Sequence, residues 1–161
     1  MIIRKSTTND SQIIAELLLA CFGDQVKYGA VDNLENRYLL AFKDNKLVAM
    51  TGLQKESSFY NGSEIDWTCV LPEYRKQGII TEVMSLAIEG CSEDVYCSCL
   101  RLHDNTKVNL DFCMKTLGFE LVQKAHKQFC SLYNKSCNDC IYKKESYCIC
   151  CEDLYVKRTV K

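Results

Sequence analysis

The chain has 161 residues, a length that suits one domain of ordinary size. Hydrophobic residues make up 47%, enough for a core, and the formal net charge of −1 disfavours a dedicated nucleic-acid binder, which is usually clearly basic. No apolar run approaches a membrane span, and Met1 to Ser6 holds too few apolar residues for a signal peptide, so a cytoplasmic protein without a membrane partner is expected.

Met1 to Lys5 is predicted as a first strand. Thr7 to Asp10 offers N-cap candidates, after which Ile13, Ile14, Leu17, Leu18 and Cys21 recur at helical spacing up to Gly23. A second, shorter helix is expected around Val31 to Arg37. Tyr38 to Phe42 and Lys46 to Thr51 are β-like, with Lys43-Asp44-Asn45 as a tight hairpin between them. Asn61-Gly62 is a hairpin signal between Gln54–Phe59 and Glu64–Val70. Ile79, Ile80, Val83, Met84, Ala87 and Ile88 form one apolar helical stripe, stopped by Gly90. Tyr96 to Leu102 follows as a strand. Leu110, Cys113, Met114 and Leu117 mark another helix face, closed by Gly118. Phe119 to Phe129 and Leu154 to Arg158 are β-like, and there is no internal repeat. That order gives an α/β (α+β) protein: a mixed, mostly antiparallel central sheet with helices on both faces.

One junction carries chemistry. Val70-Leu71-Pro72-Glu73-Tyr74-Arg75-Lys76-Gln77-Gly78-Ile79-Ile80-Thr81 joins the strand at Glu64–Cys69 to the helix at Glu82–Glu89. The first-turn amides of a helix have no intrahelical acceptor and lie at the positive end of its dipole. Gly78 lets a ligand approach the backbone, and Arg75 and Lys76 add charge, so a diphosphate fits. An ordinary loop-to-helix junction has the same outline, because one glycine is a weak motif.

The segment resembles the acetyl-CoA loop of the GNAT superfamily of N-acetyltransferases, V-x-P-x-x-R-x-x-G-x-G/A. Val70, Pro72, Arg75 and Gly78 match; Ile80 stands where the family has Gly or Ala. Lys115-Thr116-Leu117-Gly118-Phe119 is similar to the family's K-x-G-F helix end, with one residue added. The element order is also the family's over the whole chain apart from one insertion. The resemblance implies one domain over 1–161, a fourth and fifth strand that splay apart, and a pantetheine arm in the gap. Main-chain contacts would then come from Cys69, Val70 and Leu71. The amides of Arg75, Lys76, Gln77, Gly78, Ile79, Ile80 and Thr81 would hold the pyrophosphate, with Asn105 near the pantetheine.

Amine acetylation needs a base for the amine and a proton or other stabilisation for the leaving thiolate. Glu64 lies eleven residues before Arg75, the spacing of the base glutamate in histone-type members, and Asp66 is the second candidate on the same side of the strand. An exposed acid at a strand's start is the plainer account of Glu64. Many members carry a Tyr on the last helix as the acid. Counting back from Gly118-Phe119 puts Met114 there, and counting forward from Asn105 puts Phe112 there; neither has an acidic proton. An acetyl-CoA-dependent N-acetyltransferase acting on a small-molecule or peptide amine is therefore expected. The competing class is a catalytically weak CoA-binding sensor with a metal- or redox-responsive cysteine loop. A homodimer is compatible with this sequence.

Twelve cysteines are unusual in a reducing compartment. Six of them, Cys130, Cys137, Cys140, Cys148, Cys150 and Cys151, fall in an insert at 130–151 before the last strand. Cys137, Cys140, Cys148 and Cys150 could hold one structural zinc as two thiolate pairs across a hairpin, with Cys151 as the substitute fourth ligand. Free thiols and disulfides are the alternatives.

Overall fold

The computed structural model describes residues 1–23, 34–57, 60–101, 108, 110–128 and 151–159. Among the described residues lie seven strands, β1 (Ile2–Lys5), β2 (Tyr38–Lys43), β3 (Lys46–Gln54), β4 (Ser63–Val70), β5 (Val95–Arg101), β6 (Glu120–Gln128) and β7 (Cys151–Lys157), with α1 (Ser11–Phe22) after β1, α2 (Ile79–Ile88) after β4 and α3 (Asp111–Thr116) after β5. The strand order is β1-β2-β3-β4-β5-β7-β6. Among the described strands only the β4–β5 pair is parallel; the rest are antiparallel.

Both faces of this sheet are covered. β3 is buried without interruption from Leu47 to Gly52, as a strand is when neither face meets water. Met50, Gly52 and Gln54 alternate along β3, so their partners Cys69, Asp66 and Glu64 share one face of β4. That is the α1 face, because Cys21 of α1 is hydrogen-bonded to Cys69 and Phe22 meets Trp67 edge-on at 6.1 Å. Ile65 and Cys97, paired in register, point the other way into the core beneath α2 and α3. There Cys113 of α3 lies 3.5 Å from the Met84 sulfur of α2, and the Tyr155 hydroxyl of β7 donates to Asp111 at 2.8 Å.

Local chemistry explains the element ends. Arg4 makes a two-pronged contact with Asp10, and Thr7 donates to Asp10 through its N–H and its hydroxyl. This clasp ties β1 to the start of α1. The α1 end is closed by the Gly23 amide on the Leu19 carbonyl. After α3, Gly118 N–H reaches Lys115 O and Phe119 N–H reaches Met114 O, the paired bonds of a Schellman cap.

Three expectations change. Glu35 to Arg37 is a turn rather than part of a helix, while residues 31–33 lie outside the described residues. Ser6 holds that turn: Asn36 N–H donates to its carbonyl, and its hydroxyl donates to Leu34 O. These bonds replace the i→i−4 ladder a helix needs. Asn61-Gly62 is not a two-residue hairpin turn, because β3 continues to Gln54 and pairs with Glu64 across a longer loop. Pairing with Ile65 and Glu64 of β4 keeps Leu53 and Gln54 in β3. The last strand begins at Cys151, three residues before Leu154, because Cys151, Glu152 and Asp153 pair with Arg101, Leu100 and Cys99. Cys151 is therefore a strand residue. No helix among the described residues is long and apolar enough to cross a membrane.

Candidate active site

The site is built where β4 and β5 part. Their pairing covers only Ser63–Val95, Glu64–Tyr96 and Ile65–Cys97. Directly beyond it, β4 carries a bulge: Met50 faces Cys69 and Gly52 faces Asp66, so β4 spends one more residue than β3. Trp67 in this bulge has φ 44°. A bulge bends its strand and sharpens its twist, which carries β4 away from β5. From Asp66 to Val70 β4 stays bonded to β3, while β5 from Ser98 to Arg101 stays bonded to β7. A gap lined by strand backbone results.

The gap ends at the basic loop. The Leu71 amide donates to Val48 O, and Pro72–Tyr74 makes a single 3₁₀ turn. Lys76 has φ 61° and Gly78 φ 78°, so the chain doubles back twice before α2. The Gly78 carbonyl accepts from Glu82 N–H, the first bond of α2. The amides of Ile79, Ile80 and Thr81 precede any intrahelical acceptor. Apart from its chain neighbours, nothing described lies within 4 Å of where a Cβ on Gly78 would stand, so the backbone is open on that side. Arg75 Nε donates to Val70 O at 3.3 Å, and Gln77 Nε2 to Glu73 O at 3.2 Å, which stiffens the loop. Ile80 is only partly buried and packs against both halves of the core, so its branched side chain is directed to the core.

Two further cations reach this loop from the β2–β3 hairpin. Lys46 pairs with Glu73 at 3.0 Å, and Lys43 donates to Gln77 Oε1 at 3.4 Å. Their ammonium groups lie 5.7 and 5.6 Å from the Tyr74 ring centre. Sequence reasoning missed them. The signal was present: an Asp44-Asn45 turn on a strand antiparallel to β4 must sit beside the end of β4.

Cys69 offers the gap backbone only, since its thiol is buried and hydrogen-bonded to Cys21. That bond first, and burial second, push the Cys69 thiol up; the same bond holds Cys21 below its ordinary value.

Glu64 and Asp66 share the α1 face but have different partners. Arg37 forms an ion pair with Asp66, whose carboxyl is nonetheless pushed up by burial, with Arg37 opposing. A Cβ on Gly52 would collide with Asp66 Oδ1, so only glycine leaves room for this carboxylate. Glu64 accepts from Ser57 Oγ at 2.5 Å. The same Ser57 oxygen accepts Tyr60 N–H at 3.2 Å, and the Tyr60 hydroxyl pairs with Ser98 Oγ at 2.9 Å. Tyr60 stacks on Tyr96 at 4.8 Å with 7° between the rings. Ser57, Tyr60 and Ser98 carried no signal in the sequence, because a loop and a non-adjacent strand bring them together. Met114 is fully buried and Phe112 is exposed, so the two positions expected to bear an acid on the helix bear none.

Asn105, Cys137, Cys140, Cys148 and Cys150 lie outside the described residues. Among the described residues no group of three or more His, Cys, Asp or Glu side chains could hold a metal ion.

Comparisons with known proteins bear on the family and the fold. The family model "Acetyltransferase (GNAT) family" matches residues 12–119. Among solved structures, an acetyltransferase of the GNAT family from Bacillus cereus superposes with TM-score 0.67 at 12% identity, over 99% of this chain and 98% of that one. An aminoglycoside 6′-N-acetyltransferase complexed with coenzyme A gives TM-score 0.68 at 14% identity, over 100% and 98%. N-acetylglutamate synthase from Neisseria gonorrhoeae, complexed with coenzyme A and N-acetyl-glutamate, gives 0.61 at 15%, over 99% of this chain and 35% of that one. At these identities the structures speak for the fold. No curated protein sequence matches the chain.

Proposed function

Because the chain belongs to the GNAT acetyltransferase family, which transfers an acyl group from acetyl-CoA, we propose that it acetylates a primary amine, with Glu64 as the base. The observation that carries this reading is the gap between β4 and β5, which opens just beyond the Ile65–Cys97 pair, next to Glu64, and ends at the Gly78 loop. Strand backbone from Asp66 to Val70 suits the amides of a pantetheine arm, because unpaired backbone groups need partners. The basic loop suits the diphosphate, through the amides of Arg75 to Thr81 together with the Arg75 and Lys76 charges.

The amine nitrogen attacks the acetyl carbonyl carbon and forms the C–N bond. Glu64 takes a proton from that nitrogen, directly or through water. The C–S bond then breaks and the thiolate leaves. Asp66 is committed to Arg37, so Glu64 is the better base. A panel of small amines and lysine peptides, assayed by release of free coenzyme thiol, identifies the acceptor class. With the best acceptor, Glu64→Gln should lower kcat by about 100-fold or more while leaving acetyl-CoA affinity in place. The acidic limb of the pH–rate profile, where a base loses activity on protonation, should disappear with it. A wild-type profile in Glu64→Gln removes Glu64 from the mechanism.

The absence of an acidic proton at Phe112 and Met114 supports a second reading, a coenzyme-binding sensor with little turnover. Tight acetyl-CoA binding with no acetylation across the whole panel would select it. The spacing Cys137-x-x-Cys140 and Cys148-x-Cys150 supports one structural zinc in the insert, coupling the metal to local folding. Elemental analysis of reduced protein should find about one zinc per chain if four thiolates close one site. Metal-free protein would leave thiols or disulfides as the account of the cluster.

A further inference from the structure

We propose that Tyr60 is the proton donor to the leaving coenzyme thiolate, positioned by Ser98 and by its stack on Tyr96. This rests on the acetyl-transfer reading above and fills the role that Phe112 and Met114 cannot.

The placement comes from the register. Glu64 and Tyr96 are opposite each other in the second of the three β4–β5 pairs, so they share a face. Ser98, two residues after Tyr96, shares it too, and is the first β5 residue beyond the last pair, Ile65–Cys97. It therefore stands at the mouth of the gap. Tyr60 comes from the loop between β3 and β4 and lies across this face. Its ring is stacked on Tyr96 at 4.8 Å, and its hydroxyl is paired with Ser98 Oγ at 2.9 Å. Its own amide donates to Ser57 Oγ, which donates to Glu64. One short loop thus fixes a carboxylate at the edge of β4 and a phenol at the edge of β5, on the same side of the fork. A base on one side of the reacting carbon and an acid on the other is what aminolysis of a thioester requires.

The chemistry favours the Tyr60 phenol, since the Tyr96 hydroxyl is hydrogen-bonded to Arg158. Cys97 has a proton but faces the opposite side of the sheet, in the core beneath α2 and α3. Thr51 and Thr68 are paired with each other at 2.7 Å. A phenol has an ordinary pKa of about 10 against about 8.5 for a thiol, close enough for proton transfer to a thiolate as the C–S bond breaks. Serine alcohols are far weaker acids, so Ser98 positions rather than donates. The proton count closes. The neutral amine attacks, and Glu64 receives the one proton that its nitrogen sheds as the C–N bond forms and releases it to solvent. The phenol gives its proton to sulfur as the S–C electron pair leaves with the coenzyme, and the phenolate recovers a proton from water.

Tyr60→Phe tests this, because the ring and its stack on Tyr96 are kept. With acetyl-CoA and the best amine of the panel, kcat should fall by about 100-fold while KM and the calorimetric Kd for acetyl-CoA hold. The pH–rate profile of the variant should lack the alkaline limb expected of wild type when a general acid takes part. Ser98→Ala should lose about tenfold in kcat and keep that limb, as a positioning residue does. An unchanged kcat and an unchanged alkaline limb in Tyr60→Phe overturn the proposal. If wild-type protein neither binds nor turns over acetyl-CoA, the acetyl-transfer reading fails first, and the assignment of Tyr60 fails with it. If wild type is active and Tyr60→Phe equals it, only the assignment of Tyr60 fails.

Discussion

Gly78 shows how much one residue decides. Its φ of 78° is where an L side chain is strained, and the space in front of it is open. The two facts separate stability from binding. Gly78→Ala meets no neighbour, so its cost is the backbone conformation alone, about 1 kcal/mol. Gly78→Glu adds bulk and negative charge to a site built from amides and cations. Calorimetry should find acetyl-CoA binding abolished in Gly78→Glu and retained, if weakened, in Gly78→Ala. Equal binding by wild type and Gly78→Glu would move the diphosphate away from this loop. The same separation applies to the two acids. Glu64 and Asp66 are alike as letters two positions apart, yet one carboxylate meets a serine hydroxyl and the other an arginine.

Among the elements, the clasp between β1 and α1 carries a pH dependence whose sign is fixed. The Arg4 hydrogen bonds hold the Asp10 carboxyl well below the usual carboxylate range, with the Thr7 bonds adding to them against burial. A depressed folded-state pKa contributes stability above the ordinary carboxylate pKa, and that contribution is lost as pH falls below it. Asp10→Asn should cost about 1 to 3 kcal/mol at neutral pH, towards the lower end because Arg4 is partly in solvent. Denaturant titrations at neutral pH and near pH 3 should show the gap between wild type and variant narrowing in acid. A gap that stays constant would mean that Asp10 acts by shape alone. The strand at Lys46–Gln54 shows the limit of local reading. Its polar end was legible only as a break, yet burial from Leu47 to Gly52 and pairing with β4 carry it on to Gln54.

For the whole molecule, the two halves of the core meet at the fork. One half gathers α1, β2 and β3, the other β5, α3 and β7, and α2 contributes to both through Val83 and Met84. A ligand that spans β4 and the start of α2 therefore braces both halves. Acetyl-CoA at about a hundred times its Kd should stabilise the fold by about 2.7 kcal/mol, a rise in Tm of roughly 5 to 10 °C for a chain of this size. Dephosphorylated pantetheine, which lacks the diphosphate, should give a smaller rise. No shift with either ligand would count against binding in the gap.

The sequence by itself determined the helices α1, α2 and α3 with the strands that flank them, the caps at Gly23 and Gly118 and the strand–loop–helix at Val70 to Thr81. Each of these depends on residues close in the chain, where spacing and turn chemistry act directly. Only the tertiary structure decided what surrounds the reacting groups. The Ser57–Glu64 and Tyr60–Ser98 contacts, the Arg37–Asp66 pair and the approach of Lys43 and Lys46 to the Gly78 loop join residues separated by a loop, a bulge or a whole strand. A bulge shifts register by one residue and a hairpin sets which side chains meet. Neither consequence is written in local spacing; both follow from which strands pair, and pairing is fixed by the burial of the whole sheet.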